Sequence, residues 1–288
     1  MAFSGTVRVL INGTWTTLTY NSSTGAYEGT ITAPGQTSFN LTGGAYEVTT
    51  EATNAAGTVA TKTASLVVKE TIKPVIAISS SSSGAYVSNN QQPIVFTVTD
   101  ESGGSGVDIN SLVVKIDGTA VTSGISKTAI TNGYSVTVTP AALSDGSHTV
   151  TIDCSDNDGN AAARKTTTFT VDTVPPTLNV TSPADGLITN NPSLVVAGTT
   201  DDSTSSPVTL TVNGQAVTVG SNGSFSTTLT LSEGDNTITI KVVDKAGKTT
   251  TVVRTVTLDT SAPNIVSITI EPNPATTGAT MKVKVVVE

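Results

Sequence analysis

Apolar and polar residues alternate along most of this chain. His148, Val150, Ile152 and Cys154 fall on one side of a two-residue period, and Thr149, Thr151 and Asp153 fall on the other. Asn236, Ile238, Ile240 and Val242 repeat the pattern, and Tyr46, Val48, Thr50 and Ala52 repeat it more weakly. A period of two is that of an antiparallel strand with one face buried. A Leu-x-x-Gly turn precedes each of these strands, at Leu41 to Gly44, Leu143 to Gly146 and Leu231 to Gly234. An Asx-x-x-Gly run follows each, from Asn54, Asp156 and Asp244, and its Gly supplies the positive φ of a hairpin turn. A further alternating strand ends at Asn12-Gly13, Asp117-Gly118 and Asn213-Gly214. Helical heptads are absent, and no apolar run approaches the ~20 residues that span a bilayer. The pattern predicts an all-β protein.

These signals recur with the period of a domain. Proline closes a shared junction pattern at Pro74, Pro176 and Pro263, with intervals of roughly 100 and 90 residues, each enough for one β-sandwich. Proline ends the preceding strand by removing a ladder donor and stiffens a short link. The boundaries this implies are a partial domain at 1–72, complete domains at 73–172 and 173–260, and a two-strand segment at 261–288. In the complete domains two strands precede the Asx-Gly strand, at about 75–79 and 93–99, and at about 177–181 and 193–198. The first domain has nothing comparable ahead of Val9, whereas 265–271 and 281–288 match the two missing strands. The two ends together make one domain. We therefore expect an elongated array in which the last segment of one copy completes the first domain of the next. Ile268, Ile270, Met281, Val283, Val285 and Val287 are the expected assembly interface. Strand addition of this kind is heterologous and propagates head to tail. A self-sufficient five-strand first domain is the plainer alternative.

Composition narrows the function. Charged residues are 12% and aromatics 4% of the chain, and the net charge of -8 with a pI near 4.6 argues against a phosphate-backbone partner. Neither nucleic-acid binding nor membrane insertion is expected. Cys154 is the one cysteine, so no disulfide forms within the chain. The N-terminal residues lack a basic segment followed by an apolar core, so no secretory leader is read there. A start at Met1 without such a leader fits a component released at lysis.

These motifs resemble the bacterial immunoglobulin-like repeats of cell-surface adhesins and phage virion proteins, most of all the Ig-like accessory proteins of tailed phages. The run of Leu41, Gly44, Tyr46 and Val48 also resembles fibronectin type III domains. The resemblance implies a non-enzymatic structural or decoration protein on a virion surface, the exterior of a tail or capsid. It further implies partners among copies of itself or other virion proteins, with weak adhesion to bacterial surface glycans. A bacterial adhesin stalk on the cell surface and a dedicated carbohydrate-binding module are the alternatives.

Candidate chemistry is sparse. His148 and Cys154 are the only His and Cys, and six residues of strand separate them by roughly 20 Å, too far for a nucleophile–base pair. Catalytic residues and cofactors are expected to be absent. Asp153, Asp156 and Asp158, with Asp172, Asp100, Glu101, Asp201 and Asp202 at loop positions, have the oxygen chemistry of a calcium site. The spacing lacks that of a calcium loop, and the third domain holds Lys241 and Ala246 beside Asp244, so the run of acids does not recur there. Turn-capping is the plain reading, and no metal site is assigned. Trp15, Tyr20 and Tyr27 are the aromatic candidates for glycan contact, with Tyr20 and Tyr27 also placed to pair across strands.

Overall fold

The computed structural model describes residues 3–80 and 83–288. The chain divides after Thr173 into two compact units, each taken by itself below.

The first unit begins with β1 (Gly5–Ile11), β2 (Thr14–Asn21), β3 (Ala26–Glu28), β4 (Tyr46–Asn54) and β5 (Val59–Leu66). They form one antiparallel sheet in the order β3-β2-β1-β4-β5. Asn12 and Gly13, between β1 and β2, both have positive φ, as the type I′ hairpin turn requires. The register Val9↔Thr16, Val9↔Thr50 and Ile11↔Val48 sets Val7, Val9, Ile11, Leu18, Tyr46 and Val48 on one face. No second sheet faces it among the described residues, and only Val9 and Tyr46 of this segment's apolar side chains are buried.

The sandwich that follows has both layers. One sheet runs β10-β9-β13-β14-β7, built from β7 (Ala85–Val87), β9 (Val107–Ile116), β10 (Thr119–Ala120), β13 (Gly146–Asp156) and β14 (Lys165–Val171). The other runs β11-β12-β8-β6, built from β6 (Val75–Ile78), β8 (Ile94–Thr99), β11 (Ile125–Ile130) and β12 (Gly133–Val138). Alternation puts Ile94, Phe96 and Val98 of one layer into a single core with Val150, Ile152 and Phe169 of the other, all fully buried. The short strand β7 pairs parallel to β14, which the sequence pattern did not foretell because three residues are too few to show a period.

In the second unit, β15 (Thr177–Ser182), β17 (Ser193–Asp201) and β20 (Ser224–Thr230) form one layer in the order β15-β17-β20. The other layer, β16-β22-β21-β18-β19, comprises β16 (Leu187–Thr189), β18 (Thr209–Val212), β19 (Gln215–Val217), β21 (Gly234–Val243) and β22 (Thr249–Leu258). Here β16 pairs parallel to β22, as β7 does to β14. Asp117-Gly118 and Asn213-Gly214 repeat the positive-φ turn of Asn12-Gly13.

A two-strand antiparallel sheet follows, β23 (Ile265–Glu271) and β24 (Lys282–Val287). Its pairing is that of β6 with β8 and of β15 with β17, the first strand and the strand that lies beside it in each sandwich. Every residue of the two strands is exposed.

Candidate functional site

Two features stand apart from ordinary sandwich packing: an acidic cluster and a pair of incompletely covered apolar faces. The cluster draws on four pieces of the first unit. Glu70 lies past β5, Asp100 and Glu101 follow β8, Asp156 ends β13, and Asp158 sits in the Asx-x-x-Gly turn after it. Glu70, Asp100 and Asp156 each present a carboxylate oxygen within 4.8 Å of the other two. Asp156 accepts both the backbone N–H and the side-chain amide of Asn160, at 2.7 and 2.8 Å. Asp100 Oδ2 accepts the Gly106 N–H at 2.8 Å, and Glu70 Oε1 accepts the Ser105 N–H. Asp158 Oδ2 accepts the Thr37 hydroxyl at 2.5 Å and the Glu70 N–H at 3.0 Å, tying the first sheet's long connection to the sandwich.

Three buried carboxylate oxygens in this group have no hydrogen-bond partner: Glu70 Oε2, Asp100 Oδ1 and Glu101 Oε2. Asp100 is only 7% exposed, so its unpaired oxygen has lost water without compensation. Burial is the largest cause raising the Asp100 carboxyl above its ordinary range. The Gly106 bond opposes it only in part, and the charges of Glu70, Asp156 and Asp158 add to it. The one cationic side chain bonded here, Lys69, donates to the Asp158 backbone carbonyl at 3.0 Å and not to a carboxylate.

The sequence reading named Asp100, Glu101, Asp156 and Asp158, and the fold gathers them. Asp153 is elsewhere, held by the Arg164 guanidinium through two bonds of 2.8 and 2.9 Å. Asp172 is at the opposite end of the sandwich, because Val171 pairs with Gly146 while Asp156 ends the same strand roughly 30 Å away. Glu70 was missed, although an acid precedes each junction proline by four residues, as Glu70, Asp172 and Asp259. The third sandwich also departs from expectation. Asp202 and Asp244 are both buried there, within 4.8 Å of one another, and Asp244 Oδ2 lacks a partner. The fold rebuilds an acidic pair that the local run of residues does not show.

The incompletely covered faces belong to the first sheet, where Val9 and Tyr46 are buried but Val7, Ile11, Leu18 and Val48 only half-buried, and to the terminal hairpin, which is exposed throughout. The register Ile268↔Val285 and Ile270↔Val283 sets these four on one hairpin face, with Val287 beside them, and Ser267, Thr269, Lys282 and Lys284 on the other. Met281 lies just outside β24 and is 52% exposed. On the first sheet a groove of about 350 Å³ opens between Ile11, Thr14 and Thr16 and the segment Thr30, Ile31, Thr32 and Pro34, which joins no ladder.

The aromatic candidates separate. Tyr20 and Tyr27 pair across strands with ring centroids 5.3 Å apart, on the apolar face of the sheet. The Tyr27 hydroxyl donates to the Phe3 carbonyl at 2.7 Å. Trp15 lies on the opposite face under the Arg8 guanidinium, 4.2 Å from the ring centroid, and Arg8 in turn pairs with Glu51 at 2.6 Å. Alternation along β2 keeps the three from forming one platform.

The two residues with nucleophile or base chemistry are engaged separately. His148 Nδ1 bonds Asp117 Oδ2 at 2.7 Å and Nε2 bonds the Ser144 carbonyl at 2.8 Å. Cys154 is buried beside the Ser111 hydroxyl, and burial pushes its thiol up.

Two successive two-layer sandwiches, each with a short second strand paired parallel to its last strand, give residues 75–258 the architecture of tandem immunoglobulin-like domains. Residues 72–173 match the family described as bacterial Ig-like domain, and residues 176–260 match glucodextranase, domain B. Bacillopeptidase F of Bacillus subtilis (strain 168) is 35% identical over 109 residues, which is 38% of this chain and 7% of that protein. This chain thus spans a small fraction of the curated relative it matches. Among solved structures, the fibronectin(III)-like modules of Clostridium thermocellum CbhA align at 19% identity and a TM-score of 0.40, over 64% of this chain and 94% of theirs. A three-Ig fragment of titin aligns at 14% identity and a TM-score of 0.43, over 88% of this chain and 87% of its own.

Proposed function

We propose that this chain is a non-enzymatic structural array on an extracellular surface, whose copies join head to tail by completing one another's sandwiches. One observation carries the reading: the first sheet and the terminal hairpin each present an apolar face on which no second sheet packs among the described residues. In the second sandwich the layer opposite β9, β13 and β14 has the order β11-β12-β8-β6. By its pairing the hairpin corresponds to β8 and β6. The unladdered segment at Thr30 to Thr32 lines a groove with Ile11, Thr14 and Thr16 and, like β12, comes just before the strand that ends in the Asx-x-x-Gly turn. Docked on the first sheet of another copy, β24 would run beside that segment, and Ile268, Ile270, Val283, Val285 and Val287 would cover Val7, Val9, Ile11 and Leu18. Full burial of one such side chain is worth about 1.5–3 kcal/mol, and several together compete with the cost of association.

The setting we propose is a phage-type particle surface, in keeping with the resemblance of the repeats to virion accessory domains. The bacterial Ig-like match at 72–173 equally suits a cell-surface stalk. Adhesion to host glycans would fall to Trp15, since Tyr20 and Tyr27 lie on the face that the hairpin would cover. The test is light scattering across a concentration series, on the full chain, on a version ending at Thr260, and on Val283→Lys/Val285→Lys. Multimers from the full chain and monomers from both variants are expected. Equal masses for all three would remove the assembly, and loss of cell binding in Trp15→Ala with unchanged mass would separate adhesion from it.

A further inference from the structure

We propose that Glu70, Asp100, Glu101 and Asp156 form a calcium site that pins the segment after the first sheet to the end of the second sandwich. Charges of one sign do not gather inside a protein without a counter-charge, and among the described residues no ion pair involves any of these four. The unpaired oxygens of Glu70, Asp100 and Glu101 are buried yet accept nothing from the protein. Asp100, more than nine-tenths buried, is held by one oxygen with the other left over. A cation would satisfy all of them at once.

Gly104 shows how closely the acids converge. A Cβ on this residue would lie 2.6 Å from Glu101 Oε1 and 2.8 Å from Glu70 Oε2, so the absence of a side chain leaves the space between the two carboxylates open. A cavity of about 460 Å³ lined by Lys69, Glu70, Glu101, Gly103 and Gly104 opens beside them and gives an ion a route in from solvent. The donors are hard oxygens, with neither sulfur nor imidazole among them, which favours hard ions such as calcium, magnesium and manganese over softer metals. Calcium accepts six to eight oxygens at variable angles, whereas magnesium demands a near-ideal octahedron and retains its waters. Carboxylates drawn from a linker, a strand end and one loop suit the more tolerant ion. This proposal does not depend on how the hairpin is paired.

Thermal unfolding of the full chain, after removal of divalent ions with EDTA, is compared in 1 mM CaCl2, in 1 mM MgCl2 and in neither. Calcium should raise the melting temperature by roughly 5 °C or more, and magnesium by much less. Asp100→Asn removes a charge from a crowded site, so it should melt higher than the parent without calcium and lose the calcium shift. Gly104→Ala keeps every carboxylate but displaces two, and should weaken calcium binding at least tenfold by calorimetric titration. Asp153→Asn, outside the cluster, should respond like the parent. A calcium shift of equal size in Asp100→Asn, or none in the parent, overturns the proposal. Equal shifts with magnesium overturn the choice of calcium.

Discussion

The first sheet and the second sandwich are built on the same strands, and they differ in how much those strands bury. Strands β1 and β9 each lead into a positive-φ Asx-Gly turn, and β4 and β13 each end in an Asx-x-x-Gly turn with the same backbone bonds. Gly57 N–H donates to the Asn54 carbonyl as Gly159 N–H does to Asp156. Yet the sandwich holds Ile94, Phe96, Val98, Val136, Val138, Val150, Ile152, Phe169 and Val171 fully out of water, while the sheet so holds none of its apolar side chains. Local pattern and turn chemistry set the strands and their register. The second layer converts them into a core.

Truncating cores should expose this difference most strongly. Phe96→Ala is expected to cost the second sandwich about 3–5 kcal/mol. Val9→Ala should cost the first sheet less, about 1–2 kcal/mol, because Val9 is buried but its neighbours Val7, Ile11 and Leu18 are only half-buried and can close on the space. Differential scanning calorimetry of the full chain separates the two effects. A large loss for Val9→Ala in dilute monomer would mean that the sheet's face is covered after all.

A second contrast lies in titration, since the sandwich pairs a buried histidine with a half-exposed aspartate and the sheet has no such pair among the described residues. Burial lowers the His148 imidazolium value, but the bonds to Asp117 and to the Ser144 carbonyl and the Asp117 charge more than reverse it, so the value ends raised. Asp117 ends lowered: burial raises it, but the Thr149 N–H and His148 outweigh that. The histidine's contribution is complete below its ordinary value, about 6.5, and is lost as pH rises through the raised one. The aspartate's contribution is complete above about 3.9 and is lost as pH falls through the lowered one. Stability from the pair is therefore greatest at roughly pH 4–6.5. Asp117→Asn should flatten that dependence and cost about 1 kcal/mol at pH 5.5, discounted because Asp117 is half-exposed. Denaturant midpoints from pH 4 to 8.5 measure it.

The smallest effect should come from the solvent face of the first sheet. Arg8→Ala removes the Glu51 pair and the cation over Trp15, together worth about 0.5–1 kcal/mol at an exposed site. Trp15 is the only tryptophan, so its fluorescence follows the first sheet and is blind to the sandwiches.

Much of this fold was legible in alternation. The strands expected at 93–99 and 265–271 appear as β8 (Ile94–Thr99) and β23 (Ile265–Glu271), and the inward set of His148, Val150, Ile152 and Cys154 is buried. The candidate site was half legible. Asp156 and Asp158 are close in sequence and remain close in space. Glu70 reaches them only because Asn160 donates to its carbonyl at 3.1 Å and Asp158 accepts its N–H, contacts made between segments distant along the chain. Asp153 misled because alternation turns neighbours on a strand to opposite faces, which gives it to Arg164. Trp15 and Tyr20 were parted by the same rule.

The short parallel strands also have a mechanical meaning. In each complete sandwich a strand near the incoming chain, β7 or β16, runs parallel to the last strand, β14 or β22. Tension applied at the two ends of such a domain drags these partners in opposite directions along their length. The bonds joining residues 85–87 to 169–171 then share the load together instead of opening one after another. How long a domain holds under tension is set by its unfolding rate, not by its equilibrium stability. Three residues of pairing at each end strand would therefore resist flow or tether forces out of proportion to the area they bury.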